Sequence, residues 1–362
     1  MMWLLACVPS TAHHREVKPM APEAAPEALA AAELPPADWG LNAWPGPGPV
    51  GAPEVAWEYH LGVPVVWSGA TDGRALYLPA GDRVLRVDTD GSIAWSVDAD
   101  VRGQLRADIV GIWVGDGDRL KKLKNLDGRV MTDLEGGGTL SGSPVLYNDE
   151  LAWAVDGGSI GSSAGWTVEA GISSAGGIST DGLTIWLATE EGEAIAVRDG
   201  EQVWLGLLGG PAQERAAFNG DQVLVLTAPY EDVKGAAVCF DSDSGELLWR
   251  TELGLKASGP PSFHPRAGWL VAEAGGQLHA LDAETGHALW TAETGVGLST
   301  GALLAGDRVY LGSPSGQVVM IDVDDGVRWG VVELDSAVVG GLSVFQGVLT
   351  AGLADGRLVG IR

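Results

Sequence analysis

The stretch Ala280–Trp290 reads ALDAETGHALW, and Cys239–Trp249 reads CFDSDSGELLW. In both, an apolar run ends in an acidic turn, a glycine follows, and a tryptophan stands four residues beyond it. A glycine at such a turn can take a positive φ between two strands. An indole just past the turn buries about 150–250 Å² if it docks on a neighbouring unit. The same signal recurs along the chain at Trp57, Trp95, Trp166, Trp204, Trp249, Trp290 and Trp329, with Thr132 of NLDGRVMT standing where a further tryptophan would fall. Successive members of that series lie 34 to 45 residues apart. That period fits one four-stranded propeller blade.

Each unit also holds a hairpin, two β-rich runs around a glycine-containing turn, as in RVYLGSPSGQVVMID and GVLTAGLADGRLVGIR. The last hairpin ends at Arg362 without a tryptophan strand, whereas EVAWEYHLG around Trp57 has no hairpin before it. Each fragment lacks what the other carries, so the N-terminal strand is expected to complete the C-terminal blade and leave no open edge between blades. The predicted fold is all-β, an eight-bladed propeller of four-stranded antiparallel blades. Seven blades stay open as the alternative, because GSSAGW in the third unit lacks the three residues that separate glycine from tryptophan elsewhere.

On these residues the chain resembles the pyrroloquinoline quinone (PQQ)-type propeller repeat family, whose pattern is Ala-x-Asp-x-x-Thr-Gly-x-x-x-Trp. Ala280, Asp282, Thr285, Gly286 and Trp290 match every fixed position; Asp241, Ser244, Gly245 and Trp249 match with Cys239 for Ala and Ser244 for Thr. In blade number, repeat type and N-terminal stalk the chain is also similar to the BamB-like envelope lipoproteins. That resemblance implies a scaffold for envelope protein complexes. It carries over no partner-binding residue.

Charge and composition exclude other classes. The chain has 22 Lys and Arg against 48 Asp and Glu, a formal charge of −26, which repels phosphate backbones and makes a nucleic-acid partner an unsuitable expectation. No apolar run reaches the length of about 18 residues that a membrane helix needs. At the N-terminus, Leu4-Leu5-Ala6 precedes Cys7 much as in a lipobox, although the basic n-region and longer apolar segment of a signal peptide are missing. Residues 1–7 are therefore read as a truncated lipoprotein signal with Cys7 lipidated, 8–52 as a disordered Pro/Ala/Glu-rich tether, and 53–362 as a single propeller domain. An unremarkable disordered tail is the competing reading. The expected location is the bacterial cell envelope, periplasmic or anchored to the outer membrane, and the expected state is a monomer.

Several motifs invite chemistry. The acids of DSDSGE (Asp241, Asp243, Glu246) and DVDDG (Asp322, Asp324, Asp325) have too few ligand positions for a calcium loop and read as turn acids. GGSIG at 157–161 and GLSTG at 297–301 match G-x-S-x-G but lack the strand, turn and helix of a nucleophile elbow. None of the six histidines forms a metal-ligand pair, and Cys7 and Cys239 are too far apart in the chain to form the adjacent-cysteine ring common in quinone enzymes. No catalytic, cofactor or metal residue is predicted. The tryptophans, with Gly245 and Gly286, are assigned to blade docking. The long variant loop TAPYEDVKG offers Tyr230, Glu231, Asp232 and Lys234 as a candidate partner site. The predicted function is a non-enzymatic interaction scaffold, set against a PQQ-dependent dehydrogenase and a small-molecule or glycan binder with aromatic residues in its channel.

Overall fold

A computed structural model describes residues 43–44, 46–49, 52–170 and 174–362, and every regular element among them is a strand. Eight sheets form. Blades 1 to 7 span residues 70–98, 106–135, 140–169, 174–207, 217–252, 262–293 and 303–333; blade 8 takes 338–361 together with Val55–His60. Within blades 1 to 7 four antiparallel strands follow chain order from the channel outwards, and in blade 8 Val55–His60 is the outermost strand after three from 338–361.

The patterning of each strand follows its radial position. Second strands such as Leu76–Ala80, Ile185–Thr189 and Gly268–Ala272 are buried along their whole length, because a neighbouring blade covers either side. Outer strands such as Ile93–Asp98 alternate between half-buried and exposed residues. The core is thus a set of apolar layers between blades, for example the layer that joins Leu270, Leu278 and Ala280 of blade 6 to Val309, Leu311 and Val319 of blade 7.

The ring closes as the chain ends imply. Val55–His60 pairs antiparallel with Arg357–Ile361, placing Trp57 opposite Gly360 and Tyr59 opposite Leu358. The backbones of Glu54 and Arg362 exchange two further bonds, at 2.9 and 3.0 Å. The third unit is a true blade, with strands Leu140–Tyr147, Glu150–Val155, Ser159–Ser162 and Thr167–Glu169, and this resolves the count at eight. Its outer strand is only three residues long, since Gly165 and Trp166 are adjacent.

Strand alternation gives the disc two ends. One carries the blade-to-blade connections and the turns between second and third strands; the other carries the remaining turns and the closure at Glu54 and Arg362. The closure face also receives part of the stretch read as tether. Ala43–Trp44 runs parallel to the inner strand of blade 7, beside Leu304 and Ala305. Gly48 then lies against the Tyr310 ring, where any side chain would collide, and Pro49 O accepts a 3.0 Å bond from the Arg308 guanidinium. Ordered contact with the propeller therefore begins before residue 53. Cys7 and the rest of the tether lie outside the described residues.

Candidate interaction surfaces

At six of the eight joints an outer-strand tryptophan rests on the glycine turn of the next blade. The pairs are Trp57 on Gly91, Trp95 on Gly128, Trp166 on Gly200, Trp204 on Gly245, Trp249 on Gly286 and Trp290 on Gly326. Four of these indoles also donate to a carbonyl of that turn: Trp95 to Asn125 O (2.9 Å), Trp204 to Ser242 O (3.0 Å), Trp249 to Ala283 O (2.7 Å) and Trp290 to Val323 O (3.2 Å). Gly286 has φ +70°, and a Cβ on it would fall inside the Trp249 ring, so the turn and the indole fit only if that residue is glycine.

Trp329 needs a correction. It stands three residues after Gly326 instead of four, which turns its side chain to the opposite face of the strand. Gly330 occupies the docking position, next to Pro53 and Met320. Trp329 is 37% exposed, and the Arg308 guanidinium lies 3.5 Å from its ring centroid. The joint it was assigned to is the closure joint, where no turn links the last two strands of blade 8 and Glu54 pairs with Arg362 instead.

The acids of the repeat are used by their own turns. Asp282 Oδ1 accepts the Thr285 hydroxyl at 2.7 Å and its N–H at 2.9 Å; Asp241 Oδ1 does the same for Ser244 at 2.7 and 2.8 Å. These bonds, the hydroxyl's first, hold both carboxyls below the usual carboxylate range. A lowered native pKa means that the stabilisation is present above the unfolded value, near ~4, and disappears as pH falls through the native value. The variant Asp282→Asn is accordingly expected to flatten the acid limb of a melting-temperature profile below about pH 4 while changing the neutral region less; an unchanged acid limb would contradict this.

Other motifs are likewise absorbed by structure. The Ser299 hydroxyl of GLSTG donates to Val338 O at 2.5 Å across the joint between blades 7 and 8. His264 Nδ1 accepts the Arg266 N–H at 3.3 Å within its own turn, and burial lowers its pKa. Cys239 is buried among Leu224, Trp249 and Trp269, and burial pushes its thiol up. Among the described residues, no group of three or more His, Cys, Asp or Glu is arranged to hold a metal ion.

The inner segments are packed closely around the ring, and the channel is crossed. Gly103 meets Gly142, Gly142 meets Gly176, and Gly259 meets Gly301, so inner strands touch backbone to backbone. Side chains stitch them further: Gln213 Nε2 donates to Ala257 O at 2.5 Å, Ser258 Oγ to Thr300 O at 2.6 Å, and Ser143 and Ser179 to Gln104 O and Ala216 O. The Arg215 guanidinium donates to Gln104 Oε1 at 2.7 Å, joining blade 5 to blade 2 past the two blades between them. Such a bond requires a side chain reaching through the channel. The described inner-strand aromatics face the blade interiors: Phe218 stacks on Trp186 at 4.6 Å, Phe263 packs on Trp269 at 5.1 Å and Tyr147 meets Trp166 edge-on.

What remains for recognition is on the loops. The candidate segment 228–235 connects the second and third strands of blade 5 and ends in a small hairpin, Tyr230 N–H to Val233 O at 3.0 Å and Val233 N–H to Tyr230 O at 2.9 Å. Glu231 takes φ +51° at its tip. Tyr230 is 57% exposed, Glu231 and Asp232 are exposed, and Lys234 pairs with Glu252 at 3.3 Å. On the same face, between blades 1 and 2, Asp82, Asp98, Asp100 and Asp116 line an open depression of about 600 Å³. No helix among the described residues is long and apolar enough to cross a membrane, which says nothing of membrane-spanning strands.

Residues 193–339 match the family profile described as outer membrane protein assembly factor BamB. Those residues hold three of the four joints, at Gly245, Gly286 and Gly326, where the indole both rests on the glycine and donates to its turn. The chain is 28% identical over 237 residues to the outer membrane protein assembly factor BamB of Burkholderia pseudomallei (strain K96243), covering 57% of this chain and 61% of that protein. It therefore spans about 61% of the length of the curated relative it matches. In fold it superimposes on BamB from Moraxella catarrhalis with a TM-score of 0.65 at 18% identity, covering 86% of this chain and 98% of the other. The quinohemoprotein alcohol dehydrogenase of Comamonas testosteroni gives a TM-score of 0.62 at 14% identity, covering 85% and 76%. Likeness at that identity is likeness of fold. The repeat, the closed ring and the sequence match together make this chain an eight-bladed β-propeller similar to the PQQ-like, BamB-like family.

Proposed function

We propose that this propeller is a non-enzymatic scaffold of the bacterial cell envelope that takes part in protein assembly at the outer membrane, held there through Cys7 and the N-terminal tether. The observation that carries this reading is the crossed channel. With Arg215 bonded to Gln104 inside it and the inner-strand aromatics turned into the blades, the exposed loops are left as the recognition surface. The similarity to a protein named for outer membrane protein assembly supports the same reading. The partner-facing loop is the blade 5 hairpin, where Tyr230 supplies a rigid aromatic anchor and Glu231, Asp232 and Lys234 a mixed-charge rim.

The test is affinity purification of the full chain from its native envelope, beside a Tyr230→Ala/Lys234→Ala variant. Both side chains are exposed, so the fold is expected to be retained. The native chain is expected to recover at least one envelope assembly protein, and the variant to recover about tenfold less of it. Equal recovery removes the loop from the proposal. Recovery of no envelope protein by the native chain overturns the scaffold reading itself.

A further inference from the structure

On the closure face, the corner of blade 2 differs from the rest of the ring. Two turns of that blade lie side by side there, because the Asn125 N–H donates to Val110 O at 3.4 Å and Asn125 Nδ2 donates to Asp108 O at 2.9 Å. Their tips are apolar and open: Ile109 is 73% exposed and Leu126 69%, with Val110, Val130 and Met131 exposed beside them. Trp95 of blade 1 covers the second of these turns at Gly128 and Asn125, and the tips stay exposed beyond it. Thr132 occupies the docking position where six other joints carry an indole, and the facing turn of blade 3 has nothing against Gly165.

The charge at this corner also departs from the rest. Residues 102–131 carry seven Lys and Arg against four Asp, in a chain whose formal charge is −26. Arg119, Lys121 and Lys122 are committed to Asp133, Asp116 and Asp108. Lys124 and Arg129 flank the apolar tips, and among the described residues no carboxylate lies within ion-pair distance of either. Asp127 caps its own turn through the Arg129 N–H at 3.2 Å.

We infer that this corner, formed by Ile109, Val110, Leu126, Val130 and Met131 with Lys124 and Arg129 beside them, docks an acidic protein segment that carries apolar side chains. At physiological salt, charges act over about 8 Å, so a short segment meets Lys124 and Arg129 together with Asp127 and Asp72, whose carboxylates are taken up by the Arg129 N–H and by Tyr77 and Asn125, and not the acids of the far blades. A bilayer extends well past that range and meets the negative field of the chain, whose formal charge is −26. The apolar tips supply the buried centre of the contact, and the cations select an acidic occupant. This rests on the scaffold reading and adds to it a second surface on the opposite face from the blade 5 hairpin, with a defined partner chemistry.

The experiment places a photo-crosslinking p-benzoylphenylalanine at Leu126, at Tyr230 or at Asp355 as a control, in the full chain produced in its native envelope. The Leu126 probe is expected to give a polypeptide adduct whose mapped segment is acidic and contains apolar residues. Lys124→Glu/Arg129→Glu and, separately, Ile109→Ser are each expected to lower that adduct about tenfold, with melting temperatures near the native value because all three side chains are at the surface. A synthetic peptide of the mapped segment should bind the native chain and lose about tenfold in affinity to the charge-reversed variant. No polypeptide adduct at 126, a mapped segment without acids, or an adduct indifferent to charge reversal overturns the inference. Lipid adducts alone make the occupant a bilayer and overturn it equally. An adduct at 230 without one at 126 leaves the scaffold reading intact; absence of both removes the two together.

Discussion

Replacing Trp249 by alanine is expected to cost about 3–5 kcal/mol of folding stability, measured by denaturant titration. The indole is 7% exposed, lies on Gly286 and donates to Ala283 O at 2.7 Å, so truncation opens a void at the joint between blades 5 and 6 and removes one of two donors to that carbonyl, leaving Gln222 Nε2 at 2.7 Å. Trp329→Ala serves as the comparison. That ring is 37% exposed, and its main contact is the Arg308 guanidinium, a cation–π pair worth about 0.5–1 kcal/mol at an exposed site. Equal losses in the two variants would mean that register relative to the glycine does not govern the role of these tryptophans.

Gly142→Ala is expected to destabilise by about 2–5 kcal/mol, from strain at a positive φ and from overpacking. Gly142 has φ +74°, and its added Cβ would lie 2.5 Å from Gly176 O and 2.8 Å from Gly177 Cα. Both are backbone atoms of the next blade's inner strand and have no rotamer through which to yield. Gly347→Ala isolates the conformational part, since Gly347 has φ +75° with nothing within 4 Å of its Cβ, and is expected to cost about 1 kcal/mol. If the two substitutions cost the same, the close approach of inner strands is not what limits the ring.

Much of the architecture was legible because it repeats. A glycine followed four residues later by tryptophan recurs with a blade's spacing, and the unmatched ends at Trp57 and Arg362 require each other. Trp329 was misassigned for a local reason. Composition within a window does not reveal a one-residue shift, but in a strand that shift reverses the face of the side chain. Spacing measured from Gly326 carried the signal. The degenerate third unit was ambiguous because its outer strand shrinks to Thr167–Glu169, while its apolar second strand, Glu150–Val155, still marked a blade.

The candidate surfaces were less legible. The length of 227–235 singled out the blade 5 hairpin, and the structure adds its face and the pairing of Lys234 with Glu252. The blade 2 corner could not be found in this way, because Ile109 and Leu126 sit in two unremarkable turns that become neighbours only through Asn125. The bond from Arg215 to Gln104 is equally invisible, since it joins residues 111 positions apart across the channel.

The sequence by itself determined the strand period and the means of closure, because both depend on short-range turn chemistry repeated at a fixed spacing, while the choice of eight blades over seven waited for the third unit's strands. Only the tertiary structure decided which side chains cross the channel, which tryptophan misses its partner and which turns meet at a blade corner. Those outcomes depend on how separate repeats approach one another in space, and a repeat motif is nearly the same in every blade whatever its neighbours expose.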